Sequence, residues 1–249
     1  MGDAPRSHDE WMEAYRRRAG LDPLRAVLDE GDEKGLKNSW VDFVERCVLR
    51  RALAGLEIRV AVDLGCGVGR LTGLLAEHAA RVVALDASAD LLGAARSRGL
   101  PAGTSAVRAD LRSLPVRDRS VDLVSTSNVL IHMVEDADLS AAALEVARIL
   151  VPGGRALVME HLVPGDRTEK REGIAYRCLG DLTAAFAGAG LRLAEERVIR
   201  KSPSRVLHWV LLGRVPRPFW GAAARMESLL ALRGRVAPDY RDHLLVLVR

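Results

Sequence analysis

The residues of this chain best placed to do chemistry together begin at Val62-Asp63-Leu64-Gly65-Cys66-Gly67-Val68-Gly69-Arg70-Leu71-Thr72, an apolar run that enters a glycine turn and leaves it as a helix. A turn bare of side chains lets a ligand press on backbone amides at a strand's carboxyl end, where ligands of open α/β sheets bind. The spacing is G-x-G-x-G. The dinucleotide fingerprint G-x-G-x-x-G sets its last glycine one residue later, for helix–strand packing behind a pyrophosphate, and is not met. Nor does the phosphate loop G-x-x-x-x-G-K-[ST] occur. Two acids follow at the ends of apolar runs. Asp86 closes Val82-Val83-Ala84-Leu85-Asp86-Ala87, where a carboxylate can accept from two vicinal ribose hydroxyls. Asp110 closes Val107-Arg108-Ala109-Asp110-Leu111, where it can accept from an adenine amine while Leu111 packs on the ring.

This series resembles the class I S-adenosylmethionine-dependent methyltransferases over about residues 56–200. The family's E/D-x-G-x-G-x-G loop is matched by Asp63 through Gly69, its ribose acid by Asp86, its adenine acid by Asp110, and its fourth-strand segment by Asp122 to His132. The Pro152-Gly153-Gly154 turn before the fifth strand is also family-like. The resemblance implies S-adenosyl-L-methionine as cofactor. Gly65 and Gly67 would approach its methionine portion, with Gly69 also in the cofactor-binding loop and Cys66 an inert filler of a small-residue slot. Asp63 would hold the ammonium, Asp86 with Ala87 the ribose, and Asp110 with Leu111 the adenine, while the Asn128 backbone would add an acceptor. The charge logic agrees, since a sulfonium cation suits carboxylates and carbonyls without a pyrophosphate-binding lysine.

Methyl transfer from a sulfonium is an in-line displacement that draws on alignment and exclusion of water. A hydroxyl acceptor gains from a base, and histidine suits that task at neutral pH. His132, past the fourth strand, and His161, ending the fifth in Val158-Met159-Glu160-His161, are the catalytic candidates; Glu160 is a weaker, substrate-side one. Lys37 could reach the methionine carboxylate and Trp40 cover the site, with a surface lysine and a core tryptophan as the alternative. Trp11 and Tyr15, four apart, read as packing, and Tyr176 is a candidate substrate contact. No clustered His, Asp or Glu set calls for a metal.

These residues need a frame to carry them. Short β-branched runs alternate with helically spaced segments between residues 56 and 200, the pattern of a doubly wound, Rossmann-like α/β sheet of about seven strands. Strands are expected at Ile58–Leu64, Val82–Asp86, Ser105–Asp110, Val121–Ser125, Ala156–Leu162 and Leu191–Ile199, and His243–Val248 should lie beside the last of these. Helices are expected near 69–79, 88–98, 137–150 and 179–189. Residues 1–55 read as a helical N-terminal lid on the domain at 56–249, and 203–240 as a helical insertion before the last strand, its helices near 204–213 and 219–233 marked off by Pro203, Pro216, Pro218 and Pro238.

Composition narrows the partners. The net charge of +4 combines 37 basic residues, only four of them lysines, with 33 acidic ones interspersed along the chain, so there is no basic block for nucleic acid. The fourth-strand segment reads Ser127-Asn128-Val129-Leu130 where enzymes of nucleobase amines carry N/D/S-P-P-Y/F, which also points to a small-molecule acceptor. Three scattered cysteines argue against disulfides and a cysteine zinc site, for a reducing, cytoplasmic setting. No apolar run approaches the roughly 20 residues that span a bilayer, and the first twenty residues hold no secretory core. The reading is a methyltransferase of a hydroxyl or amine on a small molecule, a sugar or natural-product intermediate, possible as a homodimer. A nicotinamide-dependent oxidoreductase and a catalytically silent cofactor-binding protein stay open as rivals.

Overall fold

The computed structural model describes residues 7–171, 173–202, 204–232 and 240–249. Nine strands run in chain order among these: β1 (Ile58–Leu64), β2 (Ala79–Asp86), β3 (Thr104–Arg108), β4 (Val121–Ser127), β5 (Leu150–Leu162), β6 (Glu169–Arg171), β7 (Ile174–Tyr176), β8 (Arg192–Ser202) and β9 (Tyr240–Val248). The helices are α1 (His8–Arg18), α2 (Pro23–Val27), α3 (Leu36–Leu53), α4 (Thr72–Ala76), α5 (Ala89–Ser97), α6 (Asp136–Ile149), α7 (Leu179–Gly188), α8 (Arg205–Leu211) and α9 (Trp220–Leu232). Pro203, Pro238 and the end of the second expected insertion helix lie outside the described residues.

One seven-stranded sheet has the order β3-β2-β1-β4-β5-β9-β8, while β6 and β7 form a separate hairpin. The five strands from β3 to β5 are parallel, and β9 pairs antiparallel with both β5 and β8. The chain winds outward from β1 through β2 to β3, then returns to start β4 on the other side of β1. The strand order therefore reverses between β1 and β4, and a crevice opens at their carboxyl ends. Asp122 fixes the opposite end of this pair: its Oδ2 accepts from the backbone N–H of Arg59 at 3.0 Å and of Val60 at 2.9 Å, before the ladder begins at Ala61.

Each face of the sheet is buried by its own helices. Val62, Leu64, Val124, Val158, Leu245 and Leu247 pack on α6 and α7, whereas Ala61, Leu123, Leu157, Met159, Leu244 and Val246 pack on α3, α4, α8 and α9. Burial on both sides explains why Leu244 to Val248 reads as an unbroken apolar run. Local chemistry sets the helix starts: Ser88 accepts from Leu91 N to open α5, and Ser204 from Leu207 N to open α8.

Two expectations are corrected. Pro152-Gly153-Gly154 is not a separate turn, because β5 begins at Leu150 directly after α6 and runs through it. Gly153 takes φ +79°, a register shift between Val121 and Leu123 absorbs the irregularity, and Arg249 bonds both glycines from the chain's end. The helix expected over 69–79 shrinks to Thr72–Ala76, since β2 starts at Ala79, earlier than its apolar core. No described helix is long and apolar enough to cross a membrane.

Leu157 lies fully buried at mid-sheet, while Leu144 on α6 is 56% exposed. Leu157→Ala should lower the unfolding free energy by about 2–5 kcal/mol in urea titration, whereas Leu144→Ala should stay within about 0.5 kcal/mol of wild type.

Candidate active site

A cavity of about 110 Å³ opens where the strand order reverses. Gly65 and Gly67 form its floor after β1, Asp86, Ala87 and Leu91 one wall after β2, Leu111 another, and Ser127 to Val129 with His132 and Met133 the wall after β4. Trp11, Met12 and Tyr15 of α1 and Val27 of α2 roof it. The helical N-terminal segment thus divides. Its first two helices cover the cavity, but α3 packs on the sheet, and the insertion helices α8 and α9 pack on α3 and β8 instead of the site.

The floor needs glycine for space as well as conformation. Gly65 (φ +71°) and Gly67 (φ +56°) are left-handed, and a Cβ on Gly65 would come within 2.3 Å of the Val129 side chain. A Cβ on Gly67 would come within 2.7 Å of Val27, so the roof rests directly on the turn. Gly69 (φ +81°) faces Leu100 and Ala95 away from the cavity. Cys66 is buried against Ala84 and Leu92, and burial, with Asp63 and Asp86 nearby, pushes its thiol far above the usual range, leaving it inert.

Asp86 is held in place for a ligand. Its Oδ2 accepts from Gly67 N and its Oδ1 from Ser88 N, both at 2.8 Å, and each oxygen keeps a lone pair for a ribose hydroxyl. Burial raises its carboxyl above the ordinary value against these two bonds. Asp63 lies beneath the turn, not on the cavity, where its Oδ2 accepts from the Thr72 hydroxyl at 2.5 Å. Burial pushes it up to about 6, against the Thr72 bond and Arg70. Asp110 is half exposed and clamped by Arg112, whose guanidinium also reaches Asp138 at 3.1 Å, so only its neighbour Leu111 borders the cavity.

The turn after β4 is locked from two sides. Asn128 takes φ +54°, its N–H donates to Met159 O at 2.8 Å, and its buried side-chain Oδ1 has no hydrogen-bond partner. Asn128 and Asp86 line the cavity on opposite sides of its glycine floor, an arrangement that fits a ligand carrying an ammonium at one end and a ribose at the other. Glu160, expected near substrate, instead lies behind this turn: its Oε1 accepts from Val129 N at 2.9 Å and Leu130 N at 2.8 Å. Its strand position alternates away from the His161 face, so its carboxylate meets backbone rather than acceptor. Arg177 completes the clamp by donating to Leu130 O and Met133 O.

The two candidate histidines have different surroundings. His132 borders the cavity, shares a 2.8 Å hydrogen bond through Nε2 with the Tyr15 hydroxyl, and meets the Trp11 ring edge-on at 4.9 Å. Burial pushes the Tyr15 phenol above its ordinary range, so it keeps its proton. His161 lies across from Asp242 in the β5–β9 pairing and shares a hydrogen bond through Nδ1 with Asp242 Oδ1, with the Tyr240 ring 4.7 Å away. Ser127 pairs with Met159 and borders the cavity, and His161, two residues further along β5, shares that face of the sheet without itself lining the cavity.

The remaining candidates lie elsewhere. Trp40 is fully buried in the α3 core, where the helix turns its apolar face to the sheet, and its Nε1 donates to Glu227 at 3.0 Å. Lys37 is paired with Asp29 at 2.6 Å. Tyr176, on β7, stacks under the Arg171 guanidinium at 4.7 Å. Conversely, the roof residues Trp11 and Tyr15 read as packing in the sequence; their four-residue spacing on a polar helix was the available sign. Asp242 gave none, because its role depends on a pairing 81 residues away.

Burial pushes Glu160 up to about 7 from an ordinary 4.5, against the Leu130 and Val129 bonds. A raised acid favours the fold while protonated, so its contribution is complete below pH 4.5 and fades as pH rises through about 7. Glu160→Gln keeps a carbonyl for both amides. Unfolding wild type and variant in urea from pH 4.5 to 7.5 should show wild type losing on the order of 3 kcal/mol relative to the variant; a constant difference would contradict it.

A family model described as a methyltransferase domain matches residues 62–158, from within β1 to within β5. The cypemycin N-terminal methyltransferase of a Streptomyces species is 38% identical over 104 residues, 41% of this chain and 42% of that protein. The malonyl-[acyl-carrier protein] O-methyltransferase of Marinomonas sp. is 37% identical over 123 residues, 47% of this chain and 44% of that protein. The demethylmenaquinone methyltransferase of Corynebacterium efficiens is 34% identical over 142 residues, 55% of this chain and 58% of that protein. The chain thus spans about half the length of the curated relatives it matches. In fold it is similar to an S-adenosylmethionine-dependent methyltransferase from Leishmania major, with a TM-score of 0.67 at 18% identity over 99% of this chain and 87% of that one. With the glycine turn and the ribose-type acid Asp86 inside the matched segment, residues 62–158 match a methyltransferase domain, on a fold shared with S-adenosylmethionine-dependent methyltransferases.

Proposed function

We propose that this chain moves a methyl group from S-adenosylmethionine to an oxygen or nitrogen of a small molecule, with a sugar or natural-product intermediate as the acceptor class. The observation that carries the reading is the pair Asp86 and Asn128, set across a side-chain-free floor at the reversal of strand order. The cofactor supplies a sulfonium-activated methyl. Asp86 would receive the ribose hydroxyls, the turn at Asn128 would hold the ammonium, and Leu111 would pack on the adenine. Trp11, Tyr15 and Val27 exclude water from above. Relatives are named for an amino terminus, for an oxygen of malonyl-[acyl-carrier protein] and for demethylmenaquinone, so nitrogen and oxygen both occur among them.

His161 is the proton acceptor in this reading. His132 has its Nε2 engaged by Tyr15, whereas His161 is bonded through Nδ1 and has no hydrogen bond at Nε2 among the described residues. With a hydroxyl acceptor, bound S-adenosylmethionine would supply the methyl group, and His161 Nε2 would take up the hydroxyl proton.

Calorimetry with adenosylhomocysteine and with NAD tests the reading. Adenosylhomocysteine should bind and NAD should not; the reverse would mark an oxidoreductase. Asp86→Ala should weaken adenosylhomocysteine at least about tenfold, since a hydrogen bond to a charged group contributes about 1.5–3 kcal/mol. Lys37→Met, which removes only the Asp29 ion pair, should leave the affinity within about twofold. Transfer of labelled methyl to an acceptor separates an enzyme from a silent binding protein.

A further inference from the structure

Resting on the reading of His161 as proton acceptor, we propose that Arg200 sets the tautomer of His161 through Asp242, so that Arg200 and Asp242 are positioning residues of the reaction. The three residues stand on adjacent strands, His161 on β5, Asp242 on β9 and Arg200 on β8, in register with one another. His161 Nδ1 meets Asp242 Oδ1, and Arg200 Nε meets the other oxygen, Oδ2. Arg200 and Asp242 are both buried.

Donor arithmetic then dictates the proton's place. The guanidinium is ion-paired with Oδ2 without hydrogen-bond geometry; its fixed charge favours the ionised carboxylate, which leaves Oδ1 able only to accept. Burial works against the charge on Asp242, yet the carboxyl is held below its ordinary value, with the Arg200 guanidinium the permanent cation beside it and the His161 hydrogen bond adding to its effect. The neutral imidazole facing Oδ1 must carry its proton on Nδ1. Nε2 is left bare, the form that can take a proton from a hydroxyl as its C–O bond forms. The other groups nearby do not undo this. Tyr240 packs on both the His161 ring and, at 5.9 Å, the Arg200 guanidinium; Glu45 of α3 and Glu227 of α9 add negative charge around Arg200; His243 Nδ1 stands 2.8 Å from the Glu196 carboxylate. Glu160, the chain neighbour, is turned to the Val129 and Leu130 amides. A lone Asp–His contact would fix the ring equally well with either partner as donor once the aspartate became an amide. Arg200 removes that freedom.

The consequence is specific to one isosteric change. In Asp242→Asn, Arg200 can be satisfied only by the amide's oxygen, so the amide nitrogen turns to His161 and donates to Nδ1. The imidazole proton must then move to Nε2, and the base is switched off without loss of volume. The test is nitrogen NMR on the full chain labelled at its six histidines, saturated with adenosylhomocysteine at pH 8, with His161 assigned from the resonances lost in His161→Gln. In wild type the bare-nitrogen resonance should belong to Nε2; in Asp242→Asn it should belong to Nδ1. An Nε2–H tautomer or a permanent imidazolium in wild type overturns the proposal, as does an unchanged tautomer in the variant. Should the variant not fold, the wild-type assignment still decides, because a bare Nδ1 is incompatible with the arrangement. Calorimetry on the same wild-type sample keeps the two ideas apart. Absence of adenosylhomocysteine binding counts against the proposed function, whereas a wrong tautomer in a sample that binds it counts against Arg200 and Asp242 alone.

Discussion

The site depends on a close approach that tolerates no side chain. β1 and β4 are hydrogen-bonded neighbours, and their connections leave in opposite directions, so the turns that end them must pass each other within a few ångströms. Gly65 and Val129 are the residues that meet there. Because Gly65 offers only a hydrogen, Val129 can fill the gap, and the backbone on both sides is left facing the crevice. Gly67 repeats the arrangement one step out, with Val27 of α2 as its counterpart, and its amide is the donor that fixes Asp86. Floor, wall and roof are therefore all referred to two positions without a Cβ.

Around this apolar contact the chain keeps an unusual amount of buried charge. Arg70, at the start of the helical run after the glycines, is paired with Asp42 and Glu45 of α3, and Glu45 also accepts from Ser127. Arg200, Asp242 and His161 form the second group on the same face of the sheet. Ion pairs of this kind repay their desolvation poorly, and hydrophobic replacements of similar volume are often as stable. Their common location, at the carboxyl ends of β4, β5 and β8 and the amino end of β9 and not in the middle of the sheet, accords with a role in orienting polar groups beside the cavity.

Much of the frame was legible in the sequence because each of its signals is local. β1 begins and ends at the residues its β-branched run predicts, α5 opens at the Ser88 cap, and seven strands are present in the sheet. The glycine turn and Asp86 were readable for the same reason: a spacing of a few residues decides what a turn can hold. Residues whose roles require distant partners were not. Trp40 has the composition of a lid residue and the burial of a core one, and only the packing of α3 against α9 distinguishes them. Glu160 and His161 are neighbours in sequence, yet strand alternation sends one to backbone amides and the other to Asp242. Pro152-Gly153-Gly154 reads as a stop, but the pairing of Arg249 with both glycines keeps the segment in the sheet.

The double clamp on residues 129–133 has a consequence for when order is imposed. Glu160 gathers two amides of this segment and Arg177 two of its carbonyls, using side chains that are themselves buried on β5 and just after β7. The conformational entropy of that wall is lost when the protein folds, and none remains to be lost when a ligand arrives. Whatever freedom the cavity retains belongs to its ceiling, so arrival and departure are matters for the first two helices while the reacting surface stays as the fold made it.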